Sequence, residues 1–484
     1  MTLSRSDSLQ QEKRKRKRKL QKRISLSLIT GGALIVLLGA GIALSGGKLN
    51  GLLSFGSQSK PSVTVDGGPS SSTSSPSGGM SGEDGAEPDD TSEEGQSSGE
   101  GTDNGNGGED NAGASASENE NGEGEGAGPD GAGAESGSDD GQGNSTPDGS
   151  GNVPGSSQPS IDPGSAVSLS FVGDVLPGEY LTALMEQQGY DYPYRQALLY
   201  LSEPDIMAGN LEMPITKRGT PIENQPYVYK GSPDALPALR DAGFDVLSLA
   251  TNHAMDQGVE GLQDTIKYMN EAGLGHMGTG NNDKEAFTPH IIETKGIKVA
   301  YIGLSRVIPL SSLKADRNTP GIAETYDTTR AAAAIKSAKD EADIVVVMVH
   351  WGEDGKDKPN DNQKSLAKAY IDAGADLVVG SHPHVLQGFE MYKGKWIAYS
   401  LGNFVFTAYP KEALAETGVL DALCSKDGEC SLTFNPMKVV AGQPTPMQEE
   451  DAKTLLQRLT SISYGASLDS SGKISAHNRQ GEDD

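Results

Sequence analysis

Four of the seven histidines in the chain, His253, His350, His382 and His384, stand where an apolar run gives way to a polar loop. Asp174, Glu212 and Asn252 occupy the corresponding place on other runs. Imidazole, carboxylate and amide oxygen with no thiolate form a ligand set suited to Mn, Fe, Zn or a similar divalent ion. Two of these histidines flank Pro383 in "VVGSHPHVLQG". A residue before proline is pushed toward extended geometry, and in an extended segment side chains two apart point the same way. His382 and His384 are therefore expected to project together from a strand end, where ligands bind in open α/β sheets. Taken alone, the same residues also suit a surface loop that happens to carry two histidines.

The elements that must position these side chains follow from apolar periodicity. Strands are expected at 167–172, 205–208, 244–249, 343–349, 375–379 and 396–400, with a hairpin formed by 290–293 and 298–304. Between them, 234–242, 261–272, 329–341 and 362–373 carry helical spacing. Strands alternating with helices argue for an α/β layered domain with helices covering a sheet. The folded domain is expected over 166–462, with 463–484 as a polar tail. The two cysteines in the chain, Cys424 and Cys430, bracket a Lys-Asp-Gly turn and suit a disulfide-closed hairpin better than a zinc site.

The N-terminal third has a different character. Residues 1–23 read as a basic cytoplasmic tail, since 13–23 are nearly all Lys and Arg. Residues 24–44 (ISLSLITGGALIVLLGAGIAL) carry no charge and are long enough to cross a bilayer as a helix. Basic residues on the N-terminal flank orient such an anchor with its short tail inside and everything after it outside. That use of the basic run leaves no case for nucleic-acid binding. Residues 45–165 are rich in Ser, Gly, Asp and Glu, with no Lys or Arg between Lys60 and Arg195. Such a segment cannot bury enough apolar surface to offset its ordering entropy, and is expected to be a disordered tether. Much of the formal net charge of −27 lies there, so overall acidity says little about the folded domain.

Six ordered stretches, "FVGDVLPG", "GNLEMPIT", "SLATNHAMDQG", "VHWGED", "GSHPHVLQG" and "SLGNFVF", resemble the successive motifs of the CapA-like capsule-biosynthesis family, within the calcineurin-like metallophosphoesterase superfamily. The resemblance covers about 168–406 and implies a four-layer αββα sandwich with two divalent metals at the sheet edge. By the same resemblance Asp174 is the first aspartate ligand and Glu212 the metal-bridging carboxylate. Asn252 is the amide ligand, His253 the catalytic histidine, and His350, His382 and His384 the later ligands. On this assignment Asn252, His350 and His382 furnish one site, and Asp174 with His384 the other. One departure stands out: the superfamily's Asp-x-His motif has Leu176 at its third position, so one metal loses an imidazole. Asp256 and Glu353 lie close enough to motifs to compensate, or equally to form a salt bridge or cap. Asn403 suits either a substrate contact or a turn, and Asn210 is a further candidate contact.

The family's association with poly-γ-glutamate capsule implies a membrane-anchored extracellular domain that acts on an anionic polymer or its precursor beside membrane synthase subunits. Phosphoester hydrolysis is what the superfamily implies. Epimerisation of a glutamyl residue would use the same parts, and a non-catalytic assembly subunit would need the ligands only for structure. Fold alone does not choose among these.

Overall fold

The computed structural model describes residues 161–406 and 412–477. The basic tail, the 24–44 span, nearly all of the 45–165 tether and residues 478–484 lie outside the described residues. Among the described residues no helix is long and apolar enough to cross a membrane.

Apolar side chains on both faces of short strands drive the assembly of two sheets. The first is built on β1 (Val167–Val175), β2 (Ile206–Leu211), β3 (Val246–Ser248) and β4 (Gly275–Met277), parallel neighbours in that order. A two-residue strand, β5 (Thr279–Gly280), follows. The second sheet begins with the hairpin of β6 (His290–Thr294) and β7 (Ile297–Ser305). After β8 (Gly321–Ile322), which pairs with β5, come β9 (Ile344–His350), β10 (Leu377–Ser381), β11 (Phe389–Tyr392) and β12 (Lys395–Ala398). Strands β7, β9, β10 and β12 run parallel, and the order is β11-β12-β10-β9-β7-β6. The chain then returns to the first sheet as β13 (Asn403–Val405), β14 (Glu416–Cys424), β15 (Cys430–Val440) and β16 (Gln443–Pro446). That sheet is ordered β16-β15-β14-β1-β2-β3-β4, with β13 also pairing β1. A disulfide joins Cys424 and Cys430, which face each other across β14 and β15.

The burial pattern defines four layers. Leu169, Phe171 and Ala208 of the first sheet meet Val299, Tyr301, Val346 and Met348 of the second in one core, where the Phe171 and Tyr301 rings lie 6.4 Å apart. The opposite face of the first sheet, with Val172, Met207 and Leu247, packs on Leu181, Leu239 and Met269 of its helices. The outer face of the second, with Ile302, Val345 and Val347, packs on Ile335, Ala338, Leu366 and Tyr370 of helices Thr328–Glu341 and Asp361–Asp372. This is the expected αββα sandwich.

The boundary at Ile462 is corrected. Beyond it β17 (Ala466–Leu468) and β18 (Ile474–Ala476) pair antiparallel, and Ile474 is fully buried in the core between the sheets. Residues 463–477 are thus part of the fold rather than a polar tail. Two three-residue strands among Ser and Gly carry too little alternation for a period-2 signal to register.

Candidate metal centre

The carboxyl ends of the parallel strands in both sheets meet at one edge, and every ligand candidate lies there. Asp174 is the penultimate residue of β1, beside irregular pairing with both β2 and β13. Such irregularities re-aim a side chain next to a site. Gly173 precedes it because a Cβ there would overlap the Gly402 carbonyl oxygen, to which Asp174 N–H donates at 2.9 Å. Glu212 follows β2 directly, Asn252 and His253 lie in the turn after β3, and His350 ends β9. His382 and His384 follow β10, and Asn403 opens β13.

Ligand atoms of Glu212, His382 and His384 lie within 4.8 Å of one another, as do those of Asp174, Glu212 and His350. Glu212 is common to both groups, and Asp174 Oδ2 also lies 3.3 Å from His384 Nδ1 while the His350 and His382 rings are 4.7 Å apart, so the ligands expected for two sites form one continuous cluster. Asn252 Oδ1 lies 2.8 Å from His350 Nε2, so the amide joins the same cluster. Glu212 is completely buried, yet neither carboxylate oxygen has a hydrogen-bond partner among the described residues. Its closest imidazole nitrogens are His350 Nε2 at 3.4 Å and His384 Nε2 at 3.9 Å. A buried carboxylate without partners is costly, and a cation among these oxygens and imidazoles would remove that cost. The residues present therefore fit a divalent metal.

The electrostatics follow from this crowding. Burial, then the Asp174 charge, pushes the Glu212 carboxyl well above the usual carboxylate range. Burial, then the neighbouring imidazoles, holds His350 well below its ordinary value. Burial lowers His382 to about 4 although Asp354 opposes the shift. Burial also works against the charged form of His384, but Glu212 and Asp174 outweigh it and raise that residue to about 10.

His382 and His384 enter one site, although not through extended backbone. Their φ angles are 96° and 60°, in the left-handed region, which corrects the expectation from the His-Pro-His spacing. The turn brings the His382 N–H to 3.4 Å from Asp174 Oδ2, and the Pro383 carbonyl accepts from Gly355 N–H at 2.8 Å. Tertiary contacts thus override the local preference before proline, as strained backbone at functional sites requires.

His253 diverges from Asn252. Its Nδ1 sits 2.8 Å from Oδ2 of Asp256, whose side chain is buried. The same Oδ2 accepts the Tyr229 N–H at 2.7 Å, and the Tyr229 ring meets the imidazole edge-on at 4.7 Å. Asp256 thus orients His253 and stands outside both ligand groups.

Three candidate contacts have these surroundings. Asn210 is buried, donating to Asp174 Oδ1 at 2.9 Å with its amide nitrogen 3.3 Å from His350 Nδ1, so it braces the ligand candidates. Asn403 is also buried, with Oδ1 2.9 Å from His384 Nδ1 while its amide donates to the carbonyls of His384 and Leu414. Glu353 is exposed and accepts from Asn360 Nδ2 at 3.2 Å. Its neighbour Asp354 instead reaches the site, with Oδ1 3.3 Å from His382 Nε2. Sequence reasoning missed Asp354, Tyr229 and Ser381, whose Oγ lies 3.1 Å from His350 Nδ1. Asp354 and Ser381 lay inside quoted motifs, but a loop gives no period from which to choose between neighbours. Leu176 is buried in the apolar cluster with Val175 and Leu181.

Residues 168–408 match the family described as "Bacterial capsule synthesis protein PGA_cap". "Capsule biosynthesis protein CapA" of Bacillus anthracis is 34% identical over 306 residues, covering 61% of this chain and 73% of the relative. The chain belongs to the PGA_cap family. "PGA biosynthesis protein CapA" of Bacillus subtilis strain 168 is 34% identical over 312 residues, covering 64% of this chain and 81% of that one. Among solved structures, the NAD nucleotidase of Haemophilus influenzae aligns with a TM-score of 0.36 at 12% identity, over 62% of this chain and 63% of that one. The PGA_cap match runs from β1 past β13, and so includes every ligand candidate between Asp174 and Asn403.

Proposed function

We propose that this chain is a membrane-anchored, extracellular CapA-type protein whose folded domain uses divalent metal to act, as a hydrolase-like enzyme, on an anionic capsule polymer or its precursor. The observation that carries the metal reading is Glu212, fully buried between two groups of imidazole and carboxylate ligands, its carboxylate without a hydrogen-bond partner among the described residues. Asp174, Glu212, Asn252, His350, His382 and His384 would hold one or two ions, Mn, Zn or Fe. When bound, such ions supply a Lewis acid that polarises an oxyanion and acidifies a coordinated water. The chain's own part is to move the proton: Asp256 engages Nδ1 of His253, which leaves Nε2 as the exchanging nitrogen. Polymer handling is supported by the names of the relatives, and an oxidising location by the Cys424–Cys430 disulfide. Membrane synthase subunits are the partners such a location would serve.

Leu176 favours a second reading, an assembly subunit that keeps its ligands for structure, because an apolar side chain fills the place of an imidazole. One pair of measurements separates the two. The purified full-length chain should contain divalent metal by elemental analysis. His253→Gln should keep that metal while losing turnover by roughly 10²–10⁴, the usual worth of acid–base catalysis. Wild-type polymer production by metal-loaded His253→Gln would favour the assembly subunit.

A further inference from the structure

Each ligand imidazole has two nitrogens, and a metal takes one of them. In well-built sites the other donates to a fixed acceptor, which sets the tautomer and ring orientation. For His384 that acceptor is Asn403 Oδ1 at 2.9 Å, with Asp174 Oδ2 a further 3.3 Å neighbour of the same nitrogen and Nε2 turned toward Glu212 at 3.9 Å. For His350 it is Ser381 Oγ at 3.1 Å, with Nε2 beside Asn252 and Glu212. His382 differs. Its Nδ1 is buried without a hydrogen-bond partner among the described residues, while Nε2 lies 3.3 Å from Asp354 Oδ1.

Asp354 is also unlike the other two acceptors in kind. Asn403 and Ser381 are neutral and buried, whereas the Asp354 side chain is charged and 74% exposed. Its loop is nevertheless fixed. Gly352 and Gly355 on either side take φ of 95° and 71°, and the Gly355 N–H is tied to the Pro383 carbonyl at 2.8 Å. The anchor is the proline between the two ligand histidines.

We propose that Asp354 is a positioning residue of the metal centre: it accepts the Nε2–H of His382 and so presents the buried Nδ1 as the ligand atom. This rests on the metal reading above and adds to it a residue outside the ligand set, whose carboxylate is open to solvent. An anionic polymer approaching this edge would meet a carboxylate competing for the same imidazole.

The test is titration of Mn²⁺ or Zn²⁺ into metal-free full-length chain by calorimetry, alongside the melting temperature of the metal-free form. Loss of an outer partner of this kind typically lowers metal affinity about 10–100-fold. Asp354→Ala should show that loss in one binding event. Asp354→Asn, which keeps an acceptor but no charge, should be intermediate, and Asp354→Glu should recover most of the affinity. The metal-free melting temperature should be the same for all, since the side chain is mostly exposed. Unchanged affinity in Asp354→Ala would overturn the proposal and leave the metal reading standing. An equal fall in metal-free stability for Asp354→Ala and Asp354→Glu would overturn it too, by making the residue a loop brace. No binding by the unaltered chain would remove the metal reading itself, and the proposal with it.

Discussion

His382 and His384 stand two residues apart, yet their surroundings drive their protonation in opposite directions. Burial lowers His382 to about 4, against about 6.5 for an unfolded histidine. As pH falls through that window the unfolded chain takes up the proton first, so folding stability drops toward acid. His384, raised to about 10 by Glu212 and Asp174 against its burial, works the other way. Its contribution is fully present below about 6.5 and is lost as pH rises toward 10. In the metal-free protein His382 should therefore cost stability below about pH 6.5 and His384 above it, and Glu212, its carboxyl raised by burial and Asp174, adds to the loss as pH rises. Saturating Mn²⁺ should abolish the alkaline decline, because a ligating imidazole carries no second proton. Melting curves between about pH 4 and pH 10, with and without the ion, check this; a flat alkaline limb in the metal-free protein would contradict it. The residue types of the centre were legible in the sequence, since histidine is scarce here and four of seven fall at strand ends. The partner of each residue was not, because which nitrogen faces Asn403 or Asp354 depends on loops without periodicity.

Among the elements, β10 shows how the sequence encodes position. Its apolar run ends at Gly380, where a Cβ would overlap the Tyr399 carbonyl oxygen and the indole nitrogen of Trp351. That nitrogen donates to the same carbonyl at 2.9 Å, so neither group can move aside without breaking a buried hydrogen bond. Gly380→Ala should destabilise the domain by about 1–3 kcal/mol, as overpacking does, and also weaken metal binding by displacing His382. Denaturant titration and calorimetry read the two effects separately; an alanine variant with wild-type stability would show that β10 has more room than the geometry allows. Strands that end in a ligand were placed within a few residues by their apolar runs, because both of their faces are buried. The antiparallel strands β14 to β16 and the helix Glu449–Ile462 went unrecognised apart from the cysteine hairpin. In β15 buried and part-buried positions alternate, but Asn435-Pro436 in the middle reads as a turn.

For the whole molecule, the distribution of charge and hydropathy sets an expectation that the folded domain does not itself test. The basic block at 13–23, the apolar span at 24–44 and the acidic stretch beyond argue for a tethered domain outside the cell. Protease added to wall-less intact cells should release a soluble fragment recognised by antibodies against the 166–477 domain. Degradation only after lysis would place the domain on the other side of the membrane. The layered architecture was readable because strand and helix periods alternate through most of the domain. The closing hairpin of β17 and β18 was not, because only Ala466 and Ile474 are buried in the core, with Leu468 and Ala476 packed against it, too few apolar positions to set a period.

The centre draws Asp174, Glu212 and Asn252 from one sheet and His350, His382 and His384 from the other. It lies on the seam of the sandwich, so its ligand spacing is also a measure of how the two halves are registered. The Phe171–Tyr301 contact in the shared core is one of those that set this register. The domain works as a calliper whose jaws are the strand ends, and the affinity for an ion is its reading.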